Sequence, residues 1–180
     1  SKFNKLSRST SLQCALTIED YSSCNFTKNK NNLFINKGLK VTKKNIVFEN
    51  NYWKISGAHD GYLIKFGVIY EREIEFYPEQ MKFIGYDKLF RKISNKEIKF
   101  DIRFHLEPDS KVMKTQDSKS ILIEIEDEGW KFSSDNFDIN IDNGLYFGNK
   151  NSYKENQNIF ISGINNEKEQ IIKWEMSKLK

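Results

Sequence analysis

From Leu12 to Trp174 apolar residues recur with a period of two, and no window of helical length carries a sustained stripe at i, i+3, i+4 and i+7. Such alternation belongs to strands with one face in a core and one in water. Leu12–Ile18, Asn45–Phe48, Tyr52–Ser56, Tyr62–Tyr77, Met81–Tyr86 and Ile98–Leu106 read as strands, rich in β-branched and aromatic residues. Ser120–Glu126, Gly129–Phe132, Phe137–Ile141, Ile159–Ile161 and Ile171–Trp174 complete the set. Tyr62–Tyr77 is too long for one flat strand, and Gly67 sits where a bulge or bend would fit. Its second half puts Glu71, Glu73 and Glu75 on one face and Tyr70, Arg72, Ile74 and Phe76 on the other, and Pro78-Glu79-Gln80 then turns the chain into a hairpin. Asn-rich residues 28–32 and 149–151 read as solvated turns. The pattern predicts an all-β fold, an antiparallel two-sheet β-sandwich, with residues 1–180 as a single domain.

Composition sets the bounds. The 180 residues, 38% of them hydrophobic, suffice for one sizeable core and not for two. No apolar run approaches the roughly 20 residues of a membrane span, so no membrane partner is expected. The basic start Ser1-Lys2-Phe3-Asn4-Lys5 is followed by no apolar stretch of signal-peptide type. The 29 Lys and Arg exceed the 25 Asp and Glu by only four, and the two signs are mixed along the chain, which gives no basis for a nucleic-acid partner. Cys14 and Cys24 are too few for a metal knuckle and leave two thiols or one bridge open. The β pattern begins within a dozen residues of the start, as expected of a part of a longer protein.

The chain has two histidines, each beside an acidic residue: Gly57-Ala58-His59-Asp60-Gly61-Tyr62 and Arg103-Phe104-His105-Leu106-Glu107. Two imidazoles and a carboxylate brought together across strands would make a three-ligand zinc site with an open position. Because neighbours on a strand face opposite ways, His59 and Asp60 share a site only if the glycine-flanked segment bulges. The alternative is structural, with His105 hydrogen-bonded within the sandwich. Tyr62, Tyr70 and Tyr86 are candidate acid–base groups, and Arg72 and Arg103 have forks suited to a substrate carboxylate. Each has a plain counterpart as a packing tyrosine or a cross-strand ion pair. Trp53, Trp130 and Trp174 read as core residues or as a sugar-stacking platform.

The order of Gly57-Ala58-His59-Asp60-Gly61-Tyr62, Phe66-Gly67-Val68-Ile69-Tyr70-Glu71-Arg72, Gly85-Tyr86-Asp87-Lys88-Leu89 and Arg103-Phe104-His105-Leu106-Glu107-Pro108 resembles the C-terminal β-sandwich region of heparinase II/III-like proteins. The opening Arg8–Leu16 segment, Gly129-Trp130-Lys131-Phe132 and Ile171-Ile172-Lys173-Trp174 fit the same pattern. The resemblance implies a polysaccharide lyase that cleaves uronic-acid glycans by β-elimination. In it a helical toroid domain precedes the sandwich in the same protein, the substrate is an anionic polysaccharide, and the location is the periplasm or cell envelope. It implies Tyr70 and His59 as catalytic residues, Arg72, Arg103 and Tyr62 as substrate-binding residues, and Asp60 and His105 as ligands of a zinc ion. Gln13 and Tyr70 stand where the family usually carries histidine, and glutamine is a poor zinc ligand. A sandwich that keeps the fold without the chemistry, as a carbohydrate-binding or structural module, is the alternative. Without the toroid, the isolated chain is expected to be inactive.

Overall fold

The computed structural model describes residues 9–29, 32–92, 97–148 and 152–180, with the backbone alone at 28, 29, 32, 33, 36 and 37. In chain order the strands are β1 (Leu16–Ile18), β2 (Asn25–Asn29), β3 (Asn32–Lys37), β4 (Val41–Glu49), β5 (Tyr52–His59), β6 (Val68–Tyr77) and β7 (Lys82–Arg91). There follow β8 (Ile98–His105), β9 (Lys111–Lys114), β10 (Ser120–Ile125), β11 (Glu128–Ser134), β12 (Ile139–Tyr146), β13 (Lys154–Asn165) and β14 (Glu169–Lys178). One short helix, α1 (Leu63–Phe66), stands between β5 and β6.

Eight strands pair in the order β4-β5-β6-β7-β14-β11-β10-β9, four in the order β1-β8-β13-β12, and β2 with β3 forms a separate hairpin. Every pairing is antiparallel. The expected two-sheet sandwich is what the chain adopts. Its core lies between the sheets. Leu16, Ile18, Phe100, Ile102, Ile139, Ile159 and Ile161 come from the smaller sheet, and Val68, Leu89, Ile121, Ile123, Phe132, Ile172 and Trp174 from the larger. Phe104 of β8 joins the layers, its ring centroid 4.7 Å from Phe132 and 4.9 Å from Trp174.

Two elements depart from the expected strands. Residues 12–15 are not extended into β1; Thr10–Leu12 forms a 3-10 turn, and β1 is confined to the three residues that pair with β8. Tyr62–Tyr77 is not one bent strand, because Leu63–Phe66 closes a helical turn. Leu63 N–H donates to Asp60 O and Gly67 N–H to Leu63 O, and Gly67, at φ 68°, takes the left-handed conformation that stops the helix. Of the expected turn at residues 28–32, 28 and 29 lie in β2 and 32 in β3, while 30 and 31, like 149–151, lie outside the described residues. Among the described residues no helix is long and apolar enough to cross a bilayer.

Candidate functional site

β5 ends on His59, which sits directly across from Tyr70 on β6. The imidazole is half-buried, with its centroid 5.3 Å from the Tyr70 ring and 5.7 Å from that of Tyr62. Gly61 N–H donates to His59 Nδ1 at 3.2 Å, so a neutral ring carries its proton on Nε2. Burial pushes the imidazole pKa down, only partly offset by the neighbouring Asp60. At neutral pH His59 is therefore uncharged and presents an N–H. The turn is tight because residue 61 has no side chain: a Cβ there would lie 2.7 Å from the Ser23 carbonyl oxygen.

Tyr62 is almost wholly buried and donates its hydroxyl to Leu16 O at 2.6 Å, tying the α1 turn to the smaller sheet. Burial raises its phenol pKa. Asp87 on β7 is fully buried and gathers donors from β6 and β14. Arg72 grips both carboxylate oxygens, Nε to Oδ1 at 2.7 Å and Nη2 to Oδ2 at 3.1 Å. Tyr70 Oη donates to Oδ1, and Trp174 Nε1 donates to Oδ2 at 2.8 Å. Arg72 Nη1 reaches on to Cys14 O, and its guanidinium lies 5.6 Å from the Phe104 ring centroid. Trp174 can lie across the sheet only because residue 85 is glycine; a Cβ there would stand 2.0 Å from the indole ring.

This arrangement reassigns two expected site residues. Arg72 does not hold its fork open for a substrate carboxylate, because Asp87 occupies it in bidentate fashion. Tyr70 is not poised as a base: burial first, then the Asp87 charge, hold its phenol well above the ordinary value of 10.0, and its proton is directed at that carboxylate. Tyr62 is likewise engaged with backbone. Trp174 is the core residue that the sequence offered as one of two readings, whereas Asp87 has no role assigned from sequence, although it stands in the inward-facing row of β7, where an acid among Leu89 and Phe83 is anomalous.

The remaining residues lie apart. Phe100, Ile102 and Phe104 point into the core, so Arg103 and His105 occupy the opposite face of β8. There Arg103 pairs with Asp101 at 3.6 Å and Asp142 at 3.5 Å, with Phe160 4.9 Å away. His105 is half-buried, its Nε2 3.1 Å from Ser11 O, and burial pushes its pKa down. Asp60 follows β5 in the other sheet, where its Oδ1 accepts the Lys40 N–H at 2.6 Å. The two expected zinc ligands thus sit on different sheets. Among the described residues no three His, Cys, Asp or Glu side chains come together as a metal site, so the donor set does not fit zinc. Cys14 and Cys24 are free thiols. Beside the His59 turn opens a hollow of about 500 Å³, bordered by Tyr21, Lys40, Asp60, Tyr62, Lys65 and Phe66.

Comparison with known proteins agrees with this fold. No curated protein matches the sequence. Among solved structures, a heparan sulfate lyase, HepC, from Pedobacter heparinus superposes with a TM-score of 0.77 at 13% identity, over 99% of this chain and 26% of its own. A second, described as heparinase III, gives 0.67 at 14% identity, over 99% of this chain and 25% of its own. The chain thus spans about a quarter of the length of the solved proteins it matches. A family model described as heparinase II/III-like, C-terminal, matches residues 1–175, and the chain belongs to that family.

Proposed function

We propose that this chain is the β-sandwich module of a lyase that cleaves uronic-acid-containing glycans by β-elimination, working with a helical domain of the same polypeptide. The family match over residues 1–175 carries this reading. β-Elimination needs a base for the C5 proton, an acid for the leaving oxygen, and donors that neutralise the uronate carboxylate. Of the histidine and tyrosines around the β5 turn, His59 is suited to one of these roles. Its Nδ1 accepts a backbone N–H, which makes Nε2 a donor rather than a base. His59 therefore serves as a hydrogen-bond donor to the uronate or the leaving oxygen, with Lys40 and Lys65 at the adjoining hollow adding positive charge for an anionic sugar. Tyr70, Arg72 and Asp87 form the support beneath.

A second reading has a specific observation in its favour: Tyr62, Tyr70 and Arg72 are all engaged in internal hydrogen bonds, as in a module that only supports or binds a glycan. One experiment separates the two. The full-length protein is assayed on a panel of uronate glycans by the ultraviolet absorbance of the unsaturated product, with and without His59→Ala, which removes the N–H donor. The lyase reading expects activity, and a loss of about 10²-fold or more in kcat for the variant. Binding without turnover would favour the second reading, and full activity in His59→Ala would remove the histidine from the mechanism.

A further inference from the structure

The smaller sheet does not cover the whole of the larger one. The segment leading into β1 lies over β6 through the Arg72 contact with Cys14 O, β8 lies over β14 and β11 through Phe104, and β12 meets β9 through Lys114 Nζ on Asn140 Oδ1 at 3.1 Å. Beyond β1 the inward face of the larger sheet continues across β4 and β5 with nothing from the smaller sheet above it. The strand register places Ile46 beside Ile55 and Ile74, and Phe48 beside Trp53, Phe76 and Phe83. These rows run on from the core, yet Phe48 is 82% exposed, Ile46 60% and Ile55 45%. The opposite face of the same strands is polar, with Glu71 and Glu73 bridged by Lys43, Lys54 and Lys88, and these ion pairs close over Ser56, Ala58 and Glu71, which are buried there. A sheet with one polar and one apolar face is patterned for cover on the apolar side.

We propose that this uncovered face, centred on Ile46, Phe48, Trp53 and Ile55, is the docking surface for the rest of the same polypeptide. The inference rests on the reading above that the chain is one part of a longer lyase. Two observations select this occupant. The solved proteins of this fold each carry about three-quarters of their length outside the matched region, which supplies a covering layer in the same molecule. The face also lacks what other occupants require. Rings are present in Phe48 and Trp53, but around them the rows are isoleucine and phenylalanine, and Lys44 is the charged residue in the β4 row, which offers an anionic glycan few polar partners.

Hydroxyl-radical footprinting of the full-length protein tests this without mutation, reading the oxidation of Phe48 relative to the urea-unfolded protein. Phe34, 53% exposed on β3, is the reference of identical reactivity. Phe48 is expected to be protected by about tenfold or more, as in the water-excluded centre of an interface, and well beyond Phe34. Protection below twofold, or equal to that of Phe34, would overturn the proposal. So would protection that appears only as protein concentration rises, which signals a second copy, or only on adding a uronate oligosaccharide, which signals a glycan surface. Lyase activity measured on the same preparation keeps the two readings apart. An active protein with unprotected Phe48 loses the docking face alone, and an inactive one with protected Phe48 loses the lyase assignment alone.

Discussion

Replacing Asp87 should be among the most damaging single changes in the molecule. The carboxylate is fully buried and accepts four hydrogen bonds, two from Arg72 and one each from Tyr70 and Trp174. Asp87→Ala leaves a buried guanidinium without its counter-charge, and breaking such a pair costs about 3–5 kcal/mol. The loss of an acceptor for Tyr70 and Trp174 points the same way, but these groups act as one network and their contributions do not add. Against a total stability of about 5–15 kcal/mol, a loss near 4 kcal/mol removes a large share. With an m-value of about 2 kcal/mol/M, the urea midpoint should fall by about 2 M. Asp87→Asn should fare little better, because its amide turns a donor toward donors. The charge-free pair Arg72→Met with Asp87→Leu should recover much of the loss, since a buried ion pair exchanged for apolar groups is often neutral. Urea unfolding of wild type, Arg72→Met, Asp87→Leu and the double variant closes a double-mutant cycle. A midpoint shift below about 0.3 M for Asp87→Asn, or a coupling energy under about 0.5 kcal/mol, would show that the network is not the desolvated cluster its geometry describes.

Other outcomes follow from neighbouring groups. Gly85→Ala drives a methyl group into the Trp174 indole, so it should cost about 1–3 kcal/mol and change the near-ultraviolet circular dichroism of that tryptophan. Burial holds both His59 and His105 below the ordinary 6.5, so the unfolded chain binds more protons between the folded and unfolded values. Their contribution to stability is complete above pH 6.5 and declines as pH falls through that range; a flat unfolding free energy from pH 7.5 to 5 in wild type, or an unchanged slope in His59→Gln, would contradict this. Burial first, then hydrogen bonds to Glu75, push Tyr52 and Tyr77 up to about 12. An ultraviolet titration should show both still protonated at pH 11, with Glu75→Gln lowering their midpoints.

The fold was legible because half-burial leaves a local mark, and eleven segments chosen by alternation fall on strands of the two sheets or overlap them. What failed was local in a different sense. Leu63-Ile64-Lys65-Phe66 is an apolar run too short to separate a strand from a helical turn, and the structure-breaking signal at Gly67 was read as a bend rather than a helix stop. β9 is four residues long at a sheet edge, with alternate residues exposed, and leaves almost no periodic trace. The site was less legible than the fold. Alternation placed Tyr70 and Arg72 on one face, but their partner Asp87 is set by the β6–β7 register, and Trp174 comes from a strand 87 residues further along. A contact of that separation has no signature in either segment alone.

Strand parity limits what this chain can contribute to the proposed β-elimination. His59 and Tyr70 face the same side of the larger sheet, while Arg103 and His105 project from the far face of the smaller one. Within the first set, Asp87 draws Tyr70 and Arg72 inward and leaves the His59 N–H and the lysines of the adjoining hollow to meet a substrate. An N–H donor and positive charge can neutralise a uronate, but neither removes a C5 proton at neutral pH. On the proposed lyase reading, the base is supplied by polypeptide outside these residues. The isolated chain should accordingly show no turnover even at high concentration, and measurable elimination by it alone would require a base that this geometry does not supply.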